Sequence, residues 1–144
     1  MTSVYRTQAT AIGGRRGAVA SADGVLRLTL AIPRELGGRG SKGTNPEQLF
    51  AAGYAACFLA TLKLVAETRQ CLVTEDASVT ATVALGLGRD ENGLTVDMDL
   101  DVALDVDLPG FSEEEARALA HQAHELCPYS KAVKGNIEVR ITIQ

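Results

Sequence analysis

The feature that most constrains this chain is a helical run with no polar face. From Leu49 to Ala66 the residues are apolar nearly all round, and Lys63 is the only charge. A helix of that kind has to be covered on every side, which makes it the central element of the fold. Ala51, Ala52, Gly53, Ala55, Ala56 and Ala60 are small enough to let other elements approach it closely. Its start is marked as well: Thr44 or Asn45 can cap it, Pro46 suits the first helical position and Glu47 meets the positive end of the dipole. The uncharged stretch Gln48 to Leu62 is too short for a membrane span, so the run reads as a core helix.

The remaining elements follow from periodicity. Tyr5 to Ile12 and Leu26 to Ile32 are β-prone, the latter alternating, with a short strand expected at Ala18 to Ala20. Gly13-Gly14-Arg15-Arg16-Gly17 and Ala22-Asp23-Gly24 supply turns, and the glycine-rich stretch Pro33 to Thr44 is a loop. Val79 to Leu87, a turn at Arg89 to Gly93, and Leu94 to Leu104 form a long antiparallel hairpin, with Thr95, Asp97, Asp99 and Asp101 on its wet face. Ser112 caps a second helix, with Glu113, Glu114 and Glu115 in its first turn and Pro128 at its end. Its apolar stripe is Ala116, Leu119, Ala120, Ala123, Leu126 and Cys127, and Asn136 to Ile143 closes the chain as a strand. The class is α+β with mainly antiparallel pairing, in one domain spanning 1–144.

Composition narrows the function. The 144 residues carry 14 Lys plus Arg against 18 Asp plus Glu, a net charge of −4, which argues against a nucleic-acid binder. A chain this long buries roughly 70% of its unfolded surface and needs no disulfide or metal to fold. Three cysteines do not make a secreted disulfide scaffold. The start Met1 to Arg6 shows no signal peptide, so a cytoplasmic protein with reduced thiols and no membrane association is expected.

Three cysteines, two arginines and one carboxylate could carry chemistry. Cys57 lies near the middle of the apolar helix, where core packing is the bland alternative. Cys127 ends the second helix, a position whose dipole disfavours a thiolate. Cys71, in Gln70-Cys71-Leu72, has no partner motif and reads as structural. His121, His124 and Cys127 have zinc-like spacing, but both histidines follow stripe residues and are expected to face solvent. Gly40-Ser41-Lys42-Gly43-Thr44 has the wrong order for a phosphate-cradling loop. Arg15, Arg16 and Glu47 gain meaning beside a cysteine. A guanidinium lowers a thiol pKa and stabilises charge developing on oxygen, and a carboxylate can hold its fork in place. The residues alone leave open which arginine does so.

Gly43-Thr44-Asn45-Pro46-Glu47-Gln48-Leu49-Phe50-Ala51-Ala52-Gly53-Tyr54-Ala55-Ala56-Cys57-Phe58 strongly resembles the organic hydroperoxide resistance family, within the Ohr/OsmC superfamily. Cys127-Pro128-Tyr129-Ser130 with Gly135-Asn136-Ile137, Pro33-Arg34-Glu35-Leu36-Gly37-Gly38, and Gly13-Gly14-Arg15 carry the same likeness, in order, over nearly the whole chain. The resemblance implies a thiol-dependent peroxidase without metal, haem or other cofactor. In it Cys57 matches the peroxidatic cysteine, Cys127 the resolving cysteine, Arg15 the activating arginine and Glu47 its carboxylate partner. It implies an intertwined homodimer in which antiparallel sheets wrap around the central helix. The implied substrates are organic hydroperoxides, those of fatty acids included, and the implied reductant is dihydrolipoamide or a lipoylated protein. Arg16 stands where many members have an acidic residue, and Cys71 is outside the family's pattern.

The residues and the resemblance point to one cycle: thiolate attack, a sulfenic acid, a Cys57–Cys127 disulfide and reopening by an external dithiol. The osmotically inducible branch of the superfamily is the near alternative, and a non-catalytic module for an apolar ligand is the distant one. Glu47 and Cys57 are ten residues apart on one helix, roughly 15 Å along its axis at about 1.5 Å each. An arginine serving both must stretch, or must take its carboxylate from a second chain. That spacing, with a helix needing cover on all sides, favours a dimer with catalytic groups at the subunit interface.

Overall fold

The computed structural model describes residues 2–87 and 98–144. The chain divides into two compact units, 1–49 and 50–144. In the first, β1 (Ala9–Ile12), β2 (Ala18–Ser21) and β3 (Arg27–Thr29) form an antiparallel sheet in that order. The turn between β1 and β2 is a single 3-10 turn over Gly14–Arg16, entered through Gly13 at φ 76° and Gly14 at φ 54°. A Cβ on Gly17 would lie 1.6 Å from the carbonyl oxygen of Ile12. Only glycine lets the chain close so tightly, and the closure fixes where Arg15 and Arg16 depart.

Both flanking strands are shorter than alternation predicts. After Thr29 the pairing passes to the loop, where Leu30 bridges Thr44 and the Ala31 N–H donates to the Thr44 carbonyl at 2.9 Å. The strand pattern continues there, but its partner is no longer a strand. The expected turn at Ala22-Asp23-Gly24 is present. Its Asp23 carboxylate accepts from the Val25 N–H at 3.0 Å and from the Ser21 hydroxyl at 2.5 Å.

Helix α1 runs over Pro46–Thr68. Asn45 caps it, its side-chain oxygen accepting the Gln48 N–H at 2.8 Å, and Pro46 holds the first position as expected. By length and composition alone α1 would pass for a membrane span, but Tyr54, Phe58, Leu62, Val65 and Ala66 are buried in the protein core. Among the described residues one row of α1 is left uncovered. Ala52, Ala56, Ala60 and Leu64, four residues apart along one side, are exposed, Leu64 to 57%.

In the second unit β4 (Ser78–Leu87) and β5 (Met98–Asp107) pair antiparallel from Ser78–Asp107 to Leu87–Met98. Val102, Leu104 and Val106 are fully buried, and Val79, Ala81 and Val83 pack against the same core. On the opposite face Asp101 is exposed and accepts from Arg140 at 2.7 Å. The turn expected at Arg89 to Gly93 and the positions 94–97 lie outside the described residues, as do the side-chain placements expected for Leu87 and 98–100. Strand β6 (Val139–Ile143) joins β5 in parallel, an orientation that alternation does not encode.

Helix α2 (Glu113–Leu126) starts in a full capping box: Ser112 Oγ accepts from the Glu115 N–H, and the Glu115 carboxylate accepts from the Ser112 N–H. Its buried stripe is Ala116, Leu119, Ala120 and Ala123. Leu126, expected on that stripe, is instead 46% exposed, because α2 ends there and the next residue turns inward. Pro128 ends α2 as expected, but it also opens a further helix that the sequence reading missed, α3 (Pro128–Val133). Proline is as much a first-turn residue as a terminator.

Candidate active site

The tight glycine turn presents Arg15 to the first turn of α1. There its guanidinium grips Glu47 with both terminal nitrogens, Nη1 to Oε2 at 2.8 Å and Nη2 to Oε1 at 2.5 Å. The fork is partly shielded from solvent. The hydrogen bonds from Arg15 hold the Glu47 carboxyl below its ordinary pKa despite burial, and in return Glu47 raises that of Arg15. Of the two arginines, Arg15 is the one paired with Glu47. Arg16 is exposed and turns to a different part of the same unit.

In the second unit the two cysteines expected to act together are neighbours. Cys57, near the middle of α1, and Cys127, at the α2–α3 junction, are both free thiols, with Sγ atoms 3.8 Å apart. Cys127 is fully buried, whereas Cys57 is half-buried. Burial, followed by the Cys127 sulfur, pushes the Cys57 thiol above its ordinary pKa, and the backbone N–H of Tyr129 acts in the opposite sense. Cys71 is exposed, its thiol donating to the Arg69 carbonyl at 3.6 Å.

Phe50, Tyr54 and Tyr129 have ring centroids 5.5–6.0 Å apart, two of the pairs edge-on. Gly53 makes room for the third ring, since a Cβ there would lie 2.4 Å from Tyr129 Oη. Beneath the rings runs a buried polar chain. Tyr54 Oη and Ser130 Oγ are 2.9 Å apart, and Ser130 Oγ lies 3.0 Å from His124 Nδ1. Burial lowers the His124 pKa and raises that of Tyr54. His124 therefore differs from the solvent-facing histidine expected of it, while His121 is exposed. Among the described residues no three His, Cys, Asp or Glu side chains gather to hold a metal ion.

This arrangement can be set against known proteins. A sequence model for OsmC-like proteins matches residues 38–142. The organic hydroperoxide resistance protein of Xanthomonas axonopodis pv. citri is 44% identical over 140 residues, covering 97% of this chain and 94% of that protein. OhrA of Bacillus subtilis is also 44% identical, over 97% and 96% of the two chains. The crystal structure of an organic hydroperoxide resistance protein from Legionella pneumophila superposes with a TM-score of 0.89 at 47% identity, covering 99% of both chains. The chain belongs to the OsmC-like family. Its α+β fold is that of the Ohr/OsmC structures.

In this OsmC-like protein the geometry joins Arg15 to Glu47 and Cys57 to Cys127. Sequence reasoning gave Ser130 and Tyr129 no role of their own and read His124 as a solvent-facing histidine. The signal for Ser130 was the Cys-Pro-Tyr-Ser run itself, because a proline that begins a helix carries the serine two residues later onto that helix. For His124 the signal was its spacing, six residues before Ser130 and on the far side of the helix break.

Proposed function

We propose that this protein is a cysteine-based peroxidase that reduces organic hydroperoxides, alkyl and fatty-acid, to alcohols in the response to oxidative stress. Kinship with organic hydroperoxide resistance proteins supports a role in peroxide detoxification. The observation that carries the mechanism is the 3.8 Å between the sulfurs of half-buried Cys57 and buried Cys127.

In this reading the Cys57 thiolate attacks the terminal peroxide oxygen. The S–O bond forms, the O–O bond breaks, and the alkoxide leaves as alcohol after taking one proton. Cys57 is then a sulfenic acid. The Cys127 sulfur displaces the hydroxyl, which departs as water, and a disulfide remains. An external dithiol, dihydrolipoamide or a lipoylated protein, reopens it by exchange and becomes a disulfide itself. Burial opposes the thiolate, so a cation has to offset it; Arg15, its fork held by Glu47, takes that role. The half-buried rings of Phe50 and Tyr129 suit an apolar substrate. The cycle uses sulfur alone, in the cytoplasm, and units 1–49 and 50–144 serve it as one catalytic domain. The exposed row Ala52, Ala56, Ala60 and Leu64 supports a homodimer, because a helix this apolar is left half-covered by its own chain.

The test is turnover of an alkyl hydroperoxide and of hydrogen peroxide, with dihydrolipoamide and then thioredoxin as donor. Faster turnover of the alkyl hydroperoxide with dihydrolipoamide is expected. No turnover of either peroxide with either donor overturns the proposal.

A further inference from the structure

Two consecutive arginines leave the same glycine turn for different surroundings. Arg15 is taken by Glu47. Arg16 lines a cavity of about 270 Å³ within unit 1–49, together with Arg39, Ser41, Leu30, Ala31 and Ile32. Among the described residues no acidic residue lines it and no carboxylate pairs with Arg16 or Arg39. Two guanidiniums sharing one concavity without a counter-charge repel each other, and an anion relieves that repulsion.

The rest of the lining says which anion. Leu30 and Ala31 are buried, Ile32 is half-buried, and all three are aliphatic. One wall is shaped by Gly38. Its N–H donates to the Pro33 carbonyl at 2.9 Å, and a Cβ on it would lie 1.7 Å from the Ile32 carbonyl oxygen, so the loop is seated against the strand end. The volume equals the liquid share of roughly nine waters at about 30 Å³ each. That holds a carboxylate and a short run of methylenes.

We infer that this cavity binds the head of an aliphatic monocarboxylate: Arg16 and Arg39 take the carboxylate oxygens, Ser41 adds a hydroxyl donor, and Leu30, Ala31 and Ile32 receive the first methylenes. Inorganic phosphate satisfies the cations but gains nothing from the aliphatic wall, and an alkylamine is repelled. The binding does not rest on the peroxidase reading.

Sodium octanoate, octylamine and inorganic phosphate are titrated into the full chain by calorimetry. Octanoate binds saturably and more weakly as salt is raised, phosphate binds less tightly and octylamine does not bind. Arg16→Gln and Arg39→Gln each weaken octanoate about tenfold, the loss of one charge-assisted contact, and Ser41→Ala, a milder change, weakens it less. Circular dichroism confirms that each variant is folded. Absence of octanoate binding, octanoate affinity unchanged in a folded Arg16→Gln/Arg39→Gln double variant, or phosphate binding as tightly as octanoate overturns the site.

Discussion

Cys57 and Cys127 differ in access, and access is what separates an attacking thiol from a resolving one. Cys57→Ser should abolish peroxide turnover. Cys127→Ser should consume about one equivalent of peroxide and then stall as sulfenic acid, passing to sulfinic acid when peroxide is in excess. Intact-protein mass spectrometry distinguishes these products, and in the wild type it should find a Cys57–Cys127 bridge; a bridge through Cys71 would contradict the assignment. The second prediction concerns activation. Arg15→Ala should shift the alkylation-rate profile of Cys57 to higher pH, and Arg16→Ala should shift it less. Glu47 has a folded pKa below its ordinary value, held there by Arg15. The clamp's contribution to stability is therefore complete above the ordinary glutamate range and is lost only as pH falls through the depressed value, so it operates fully at neutral pH. Cys57, Cys127, Arg15 and Glu47 were singled out by the family resemblance; read alone, the cysteines look like core residues, and the structure adds that Arg15 pairs with Glu47 and that Cys57 lies beside Cys127. The Ser130–His124 contact was not foreseen, because Pro128 was read only as the end of α2 and not as the start of the short helix that carries Ser130.

Helix α3 is the element that turns a cysteine at a helix end into a partner for one near the middle of another helix. Ser130 ties it down, sharing its hydroxyl with Tyr54 of α1 and His124 of α2 at 2% exposure. Ser130→Ala leaves both groups without that partner inside the core. A loss of about 1–3 kcal/mol is expected in a urea titration, with slower disulfide formation in stopped-flow after peroxide mixing. At this scale the sequence was informative where signals are local. Asn45 and Pro46 start α1, and Ser112 with Glu115 starts α2, as expected from capping chemistry. It was uninformative where pairing is distant. The parallel seat of β6 beside β5 and the handover from β3 to the loop at Thr44 depend on partners that alternation cannot name.

For the whole molecule, the deciding feature is the side of α1 that its own chain leaves bare. An all-apolar helix was expected to be covered on every side, and among the described residues one row of α1 stays exposed. Sedimentation should therefore find a dimer; a fully active monomer would defeat that claim. Mixing Cys57→Ser chains with Arg15→Ala chains tests whether each site is shared. The ten-residue separation of Glu47 and Cys57 on α1 favours a shared site, so activity should return in the mixed dimer. No return, with subunit exchange confirmed by mass spectrometry, would place both groups of a working site on one chain. The bare row of Ala52, Ala56, Ala60 and Leu64 has a further consequence. If folding and pairing are one event, mass action governs both, and the melting temperature should climb as protein concentration rises. A cell making more of the protein would then obtain a more heat-resistant enzyme from the same sequence, and dilution alone would suffice to weaken it.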